Sequence, residues 1–199
     1  MSEAFDSLSH CMETYFGTPR TPNVSDDINL AVQRNIVRNM RAVAADENDL
    51  NARSELVYDS AMGENGVLKI GKVGDFQCHM IQHQYGAYTH SNHGMGLAVI
   101  HPHLYRLLAS AAPEQFARWA VEVWGVDPRG KDALAVANEG IDALAAFIAE
   151  MGLPTTFAEL GSDASDETLR AVADTAVLTA SCAKKLTRDE IYELLVACR

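Results

Sequence analysis

Six of the seven histidines, His79, His83, His90, His93, His101 and His103, fall within one 25-residue stretch, and the seventh is His10. Uniform scattering would put about one histidine in such a window, so metal ligation, acid/base catalysis or both are to be sought here. His79 and His83 are four residues apart, which on a helix places them one turn apart on nearly the same face. Asp6 and His10 repeat that spacing near the start of the chain. Two facing helices that each offer such a pair can converge on one cation, and a carboxylate oxygen with imidazole nitrogens suits Fe²⁺ or Zn²⁺.

His93 lies 14 residues beyond His79. On one straight helix that is about 21 Å, too far for a shared ion with bonds near ~2.1 Å, so the two meet only where the chain reverses. Thr89-His90-Ser91-Asn92 supplies turn-prone residues for the reversal, and Gly94-Met95-Gly96 permits close approach of the backbone to a neighbour or ligand. Taken singly, His79 and His83 read more readily as hydrogen-bonded core residues than as ligands; His101 and His103, around Pro102, read as surface residues, and His90 carries no role. The segment Gly94 to Val99 only approximates a dinucleotide fingerprint, because Val99 stands at the last glycine position and no strand precedes it. Walker loops, nucleophile elbows and C-x-x-C zinc patterns are absent.

These residues must be held by helices. Most segments carry a 3.6-residue apolar period and none alternates strictly between hairpin turns, which predicts an all-α, bundle-like fold. Helices are expected over 4–16, from a cap at Ser25-Asp26-Asp27 through Ala44, and over 50–62, 76–88, 94–111, 113–124, 131–151, 166–178 and 187–197. Gly63, Gly66, Gly71 and Gly74 mark the least regular segment, Pro113 suits a first helical turn, and Thr187-Arg188-Asp189-Glu190 reads as a capping box. Ile141, Leu144, Phe147, Ile148 and Met151 form one apolar stripe and Phe116, Trp119, Val123 and Trp124 another, both read as core. The acidic run from Ser162 to Glu167 is explained by helix capping.

Composition narrows the function. With Lys+Arg 16 against Asp+Glu 27, the net charge is -11, which argues against a nucleic-acid partner. No window is apolar for long enough to span a membrane, and the start lacks a basic and an apolar leader region, so the expected location is the cytoplasm. Cys11, Cys78, Cys182 and Cys198 are widely spaced and read as reduced, mostly buried thiols.

Three segments carry a resemblance: 6–16 (Asp6 to Phe16), 74–83 (Gly74 to His83) and 93–100 (His93 to Ile100). In order and spacing the chain resembles the C-terminal helical domain of the iron-containing (group III) alcohol dehydrogenases, especially the butanol dehydrogenase-like branch. The segment Trp124-Gly125-Val126 in the helical tail extends the likeness over nearly all 199 residues. The resemblance implies a metal set of Asp6, His10, His79 and His93, with Fe²⁺ or Zn²⁺ bound, and a proton-relay or positioning role for His83 near nicotinamide and substrate. It further implies hydride transfer between NAD(P) and a small alcohol or aldehyde.

The likeness covers one helical domain, residues 1–199, and omits the family's N-terminal nucleotide-binding half, so a separate nucleotide-binding domain and a second copy in a homo-oligomer are the expected partners. Gln82 and Gln84 flank His83 where butanol dehydrogenase-like relatives often carry acidic residues. Two other readings are open. One is a non-enzymatic truncated helical protein that binds metal or assembles through the orphaned domain face. The other is a metal hydrolase with Asp75 or Glu13 as the base.

Overall fold

The computed structural model describes all 199 residues as ten α-helices and one 3₁₀ turn. In chain order these are α1 (Ser2–Tyr15), α2 (Val24–Ala45), α3 (Leu50–Glu64), the 3₁₀ turn Val67–Lys69, α4 (Gln77–Thr89), α5 (His93–Ala109), α6 (Pro113–Trp124), α7 (Ala133–Glu150), α8 (Phe157–Leu160), α9 (Asp166–Thr175) and α10 (Arg188–Ala197). The only extended pairing is a single antiparallel bridge between Thr18 and Val73. The all-α expectation is met.

Helix α1 is the axis of the arrangement. Phe5, Leu8, Met12 and Tyr15 recur at helical spacing and are buried, and α1 packs against α2, α3 and α5. Burying a side chain of that size contributes roughly 1.5–3 kcal/mol each. At its end Phe16 stacks on Phe116 of α6, with ring centroids 4.0 Å apart, and Trp119 donates its indole N–H to Gln33 Oε1 of α2 at 2.9 Å. The stripes on α6 and α7 pack together as expected, Phe116, Trp119, Ile141, Leu144, Phe147 and Ile148 being buried.

The segment between α3 and α4 is held to α1 and α2 by a buried charge. Lys72 Nζ lies 2.8 Å from Asp26 Oδ1 and donates to the carbonyls of Tyr15 and Pro19 at 3.0 and 3.1 Å. Those contacts satisfy all three ammonium protons, which a buried lysine requires.

Several boundaries differ from the sequence expectation. The cap of α2 is Asn23, whose side chain accepts from Asp26 N, while Ser25 lies inside the first turn and donates to Ile70 O. The prolines upstream do not prevent a start two residues earlier, because Asn23 itself has the extended backbone a cap needs. The helix expected over 166–178 ends at Thr175, and the four-residue α8 was not anticipated. The Thr187–Glu190 capping box, Pro113 in the first turn of α6 and Ser165 as the cap of α9 are present. All four cysteines are free and buried. No helix is long and apolar enough to cross a membrane.

Candidate metal centre

Helix α1 presents Asp6 and His10 from one face, α4 presents His79, and α5 begins at His93. The reversal between α4 and α5 brings His93 back to His79. His90 adopts the left-handed conformation (φ 54°) that ends α4, Thr89 Oγ1 bonds Tyr85 O, and Asn92 caps α5 by accepting from Met95 N. Gly94 is required there because a Cβ would lie 2.3 Å from the backbone oxygen of Ser2, so α5 starts in contact with the start of α1.

The donor atoms converge. Asp6 Oδ1 is 3.5 Å from His10 Nε2, 3.3 Å from His79 Nε2 and 3.5 Å from His93 Nε2, while the Nε2 atoms of His10 and His79 are 3.0 Å apart. Donors in a tetrahedral shell with bonds of about 2.1 Å stand about 3.4 Å from one another. Asp6, His79 and His93 offer ligand atoms that all lie within 4.8 Å of one another, close enough to hold one cation, and His10 Nε2 stands beside Asp6 and His79. Asp6 Oδ1 is buried among three ring nitrogens at 3.3–3.5 Å, none of them in well-formed hydrogen-bond geometry. A cation between them would satisfy its lone pairs.

Each imidazole turns its other nitrogen outward to an acceptor. His79 Nδ1 bonds Glu13 Oε2 of α1, His93 Nδ1 bonds Gln82 Oε1 of α4, and His10 Nδ1 lies 2.5 Å from Glu64 Oε1 of α3. Glu13 and Gln82 are missed as partners of these histidines when the sequence is read alone. The signal was their spacing, since Glu13 follows His10 by three residues and Gln82 follows His79 by three, on the helix faces that carry those histidines.

Electrostatics follow from this packing. Burial disfavours the Asp6 carboxylate, but the facing imidazoles of His79 and His93 outweigh it and hold its pKa below the usual carboxylate range. Burial also works against protonated His79, yet the carboxylates of Asp6 and Glu13 on its two nitrogens push it up to about 9. His10 is pushed down to about 4 by burial and by the charge on His79. Asp75, buried beside Glu13, is pushed up to about 8, by burial first and then by that neighbour's charge.

His83 is exposed at the rim, its ring centroid 5.8 Å from that of His79 and 5.0 Å from that of His93. Partial burial, then the charges of His93 and His79, lower its pKa. The donor set itself grades from closed to open, with His79 2% exposed, Asp6 and His10 20% and His93 37%. A cleft between α1, α2 and α3, lined by Ala4, Val43 and Leu56, lies apart from the donor set.

Two expectations at this site need correction. His101 is fully buried, with Nε2 2.6 Å from Ser9 Oγ of α1. The helical period explains why, because Leu97, His101, Leu104 and Leu108 share the inward face of α5. His103 is half-buried. Neither carboxyl group offered as a hydrolytic base faces solvent: Glu13 is buried and taken up by His79 and by the amides of α4, and Asp75 is 1% exposed.

The sequence model of the Fe-containing alcohol dehydrogenase family, C-terminal part, matches residues 1–198. The chain belongs to that family. Among relatives, NADH-dependent butanol dehydrogenase A of Clostridium acetobutylicum is 30% identical over 157 residues, covering 78% of this chain and 40% of the relative. A probable NADH-dependent butanol dehydrogenase of Bacillus subtilis is 29% identical over 194 residues, covering 96% and 50%. The crystal structure of NADH-dependent butanol dehydrogenase A from Thermotoga maritima shares the fold with a TM-score of 0.87 at 24% identity, over 98% of this chain and 50% of that one. The Escherichia coli aldehyde reductase YqhD gives 0.89 at 19% identity, over 100% and 52%. The chain therefore spans about half the length of the family members it matches.

Proposed function

We propose that this chain is the metal-binding half of an alcohol dehydrogenase or aldehyde reductase, with Asp6, His10, His79 and His93 as the ligands of one divalent ion. The observation that carries this is that the Nε2 atoms of His10, His79 and His93, from three helices, each lie 3.3–3.5 Å from Asp6 Oδ1. A bound Fe²⁺ or Zn²⁺ supplies Lewis acidity toward an alcohol or carbonyl oxygen, and NAD(P) accepts or gives the hydride.

The chain's own residues have four tasks. Asp6 balances part of the cation's charge, and the rigid contact between α1 and α5 fixes the ligand spacing. His83, at the exposed rim and one turn beyond His79, would pass the alcohol proton between substrate and solvent; its ring lying 5.8 Å from that of His79 supports this role. The open face bearing His83 and His93 receives substrate and nicotinamide, brought by a nucleotide-binding domain that the two-fold longer relatives have room for. Closing that face excludes water from the reacting carbon. The butanol dehydrogenases among the relatives suggest a small primary alcohol as substrate. On this reading the protein acts in the cytoplasm, as a homo-oligomer.

The test is NAD(P)-linked oxidation of butan-1-ol by the metal-reconstituted chain, alone and mixed with the separately expressed N-terminal half of a relative. Turnover that requires the added half and falls at least about 100-fold in His83→Ala supports the reading. Metal-loaded chain that stays inactive with every added half, or a His83→Ala variant as active as the parent, contradicts it.

A further inference from the structure

We propose that Glu13 and Gln82 are positioning residues that fix the imidazoles of His79 and His93 with Nδ1–H outward and the Nε2 lone pair toward the cation. The inference rests on the metal-site reading above. A neutral imidazole carries its proton on one nitrogen only, and the hydrogen bond at the other decides which one is left to ligate.

Glu13 is fully buried, and both of its oxygens are engaged. Oε2 meets His79 Nδ1, while Oε1 accepts from Cys78 N at 2.6 Å and His79 N at 3.4 Å. Those amides belong to the first turn of α4, whose cap position is held by Phe76 without a capping side chain. Glu13 therefore caps α4 from α1 and aligns the ligand on the same turn, so the helix end and the imidazole cannot move independently. The carboxylate also strengthens electron donation from His79 to the cation.

Gln82 does the same for His93 through a neutral amide. It is 1% exposed, its Oε1 accepts from His93 Nδ1, and its amide lies between two helical glycines. A Cβ at Gly96 would stand 2.8 Å from Gln82 Nε2 and 3.0 Å from its Cγ, so the missing side chain there is the room in which Gln82 lies. His79, with a buried carboxylate behind it, is thus the strong ligand, and His93, with an amide behind it and the larger exposure, the weaker one.

The experiment is Co²⁺ titration of the metal-free 199-residue chain, reading affinity by competition with a chelating dye and the ligand-field absorption of the bound ion. Glu13→Gln and Gln82→Met are compared with the parent, thermal unfolding of the metal-free proteins serving as the fold control, and Gln82→Glu is the conservative rescue. Each of the first two is expected to weaken Co²⁺ about 10–100-fold and to shift the absorption bands, with Gln82→Glu binding at least as tightly as the parent. Should Glu13→Gln fail to fold, the Gln82 pair decides alone. Parental affinity and spectrum in folded Gln82→Met overturn the positioning inference while leaving the metal site intact. A parent chain that binds no Co²⁺ overturns the metal site and the inference with it.

Discussion

Gly96→Ala separates the ligand support from the fold. The new Cβ would meet Gln82 Nε2 at 2.8 Å, Cγ at 3.0 Å and Cδ at 3.3 Å, so the Gln82 side chain must move, and the acceptor on His93 moves with it. Overpacking of this kind costs about 1–3 kcal/mol, offset by about 1 kcal/mol of helix propensity gained at an interior helical position. The net loss of stability is therefore about 0–2 kcal/mol, a fall of at most about 8 °C in Tm for a chain of this size. Metal affinity should fall further, about 10–100-fold, because His93 loses its fixed orientation. Gly86 is the internal control: it is helical too and faces the same amide, but a Cβ there stands 3.4 Å from Gln82 Nε2, close to ordinary contact. Gly86→Ala should keep affinity within about twofold and gain up to about 1 kcal/mol from propensity. Calorimetric Zn²⁺ titration beside thermal unfolding reads both quantities. Equal Zn²⁺ affinity in the two variants would refute the role given to Gln82.

Other outcomes follow from the same structure. Metal uptake should release about one proton near neutral pH, because His79, raised to about 9, is charged in the metal-free protein and must lose its proton to ligate. Affinity then rises roughly tenfold per pH unit from about pH 7 up to pH 9, and calorimetry in two buffers of different ionisation enthalpy measures the proton directly. The sign for the metal-free fold is opposite. A raised histidine pKa gives stability that is complete below about 6.5 and is lost as pH rises through 9, so the metal-free chain should weaken over that window while the loaded one does not. Lys72→Met leaves Asp26 buried without its cation and should cost about 3–5 kcal/mol, read by denaturant unfolding. Ser9→Ala strips the buried His101 of its only hydrogen-bond partner and should cost about 1–3 kcal/mol without changing metal affinity.

Much of this was legible in the residues. Period, caps and breakers pointed to the all-α class because helices are local, and the pairs Asp6–His10 and His79–His83 stood out by type and by i, i+4 spacing, whereas the choice of His93 over His83 as the fourth ligand came from the family resemblance. The reversal at 89–92 followed from one length argument, since a straight helix cannot bring His93 to His79. His101 was misplaced because its neighbours Pro102 and His103 are polar or helix-breaking, while the Leu97, Leu104 and Leu108 period that buries it spans more than three turns. Glu13 was visible as a third residue on the Asp6–His10 face, but its partner lies 66 positions away on α4. Tertiary pairs of that kind, like Gln82 against Gly96 or Lys72 against Asp26, leave no periodic trace in a single chain.

The central claim is that three imidazoles and one carboxylate from three helices hold one divalent ion. X-ray absorption at the zinc edge of the chain loaded with one equivalent of Zn²⁺ tests it most directly. The expected result is a first shell of nitrogen and oxygen at about 2.0–2.1 Å, with outer-shell scattering from three imidazoles that drops to two in His93→Ala. A sulfur shell near ~2.3 Å, or scattering unchanged in that variant, would contradict it.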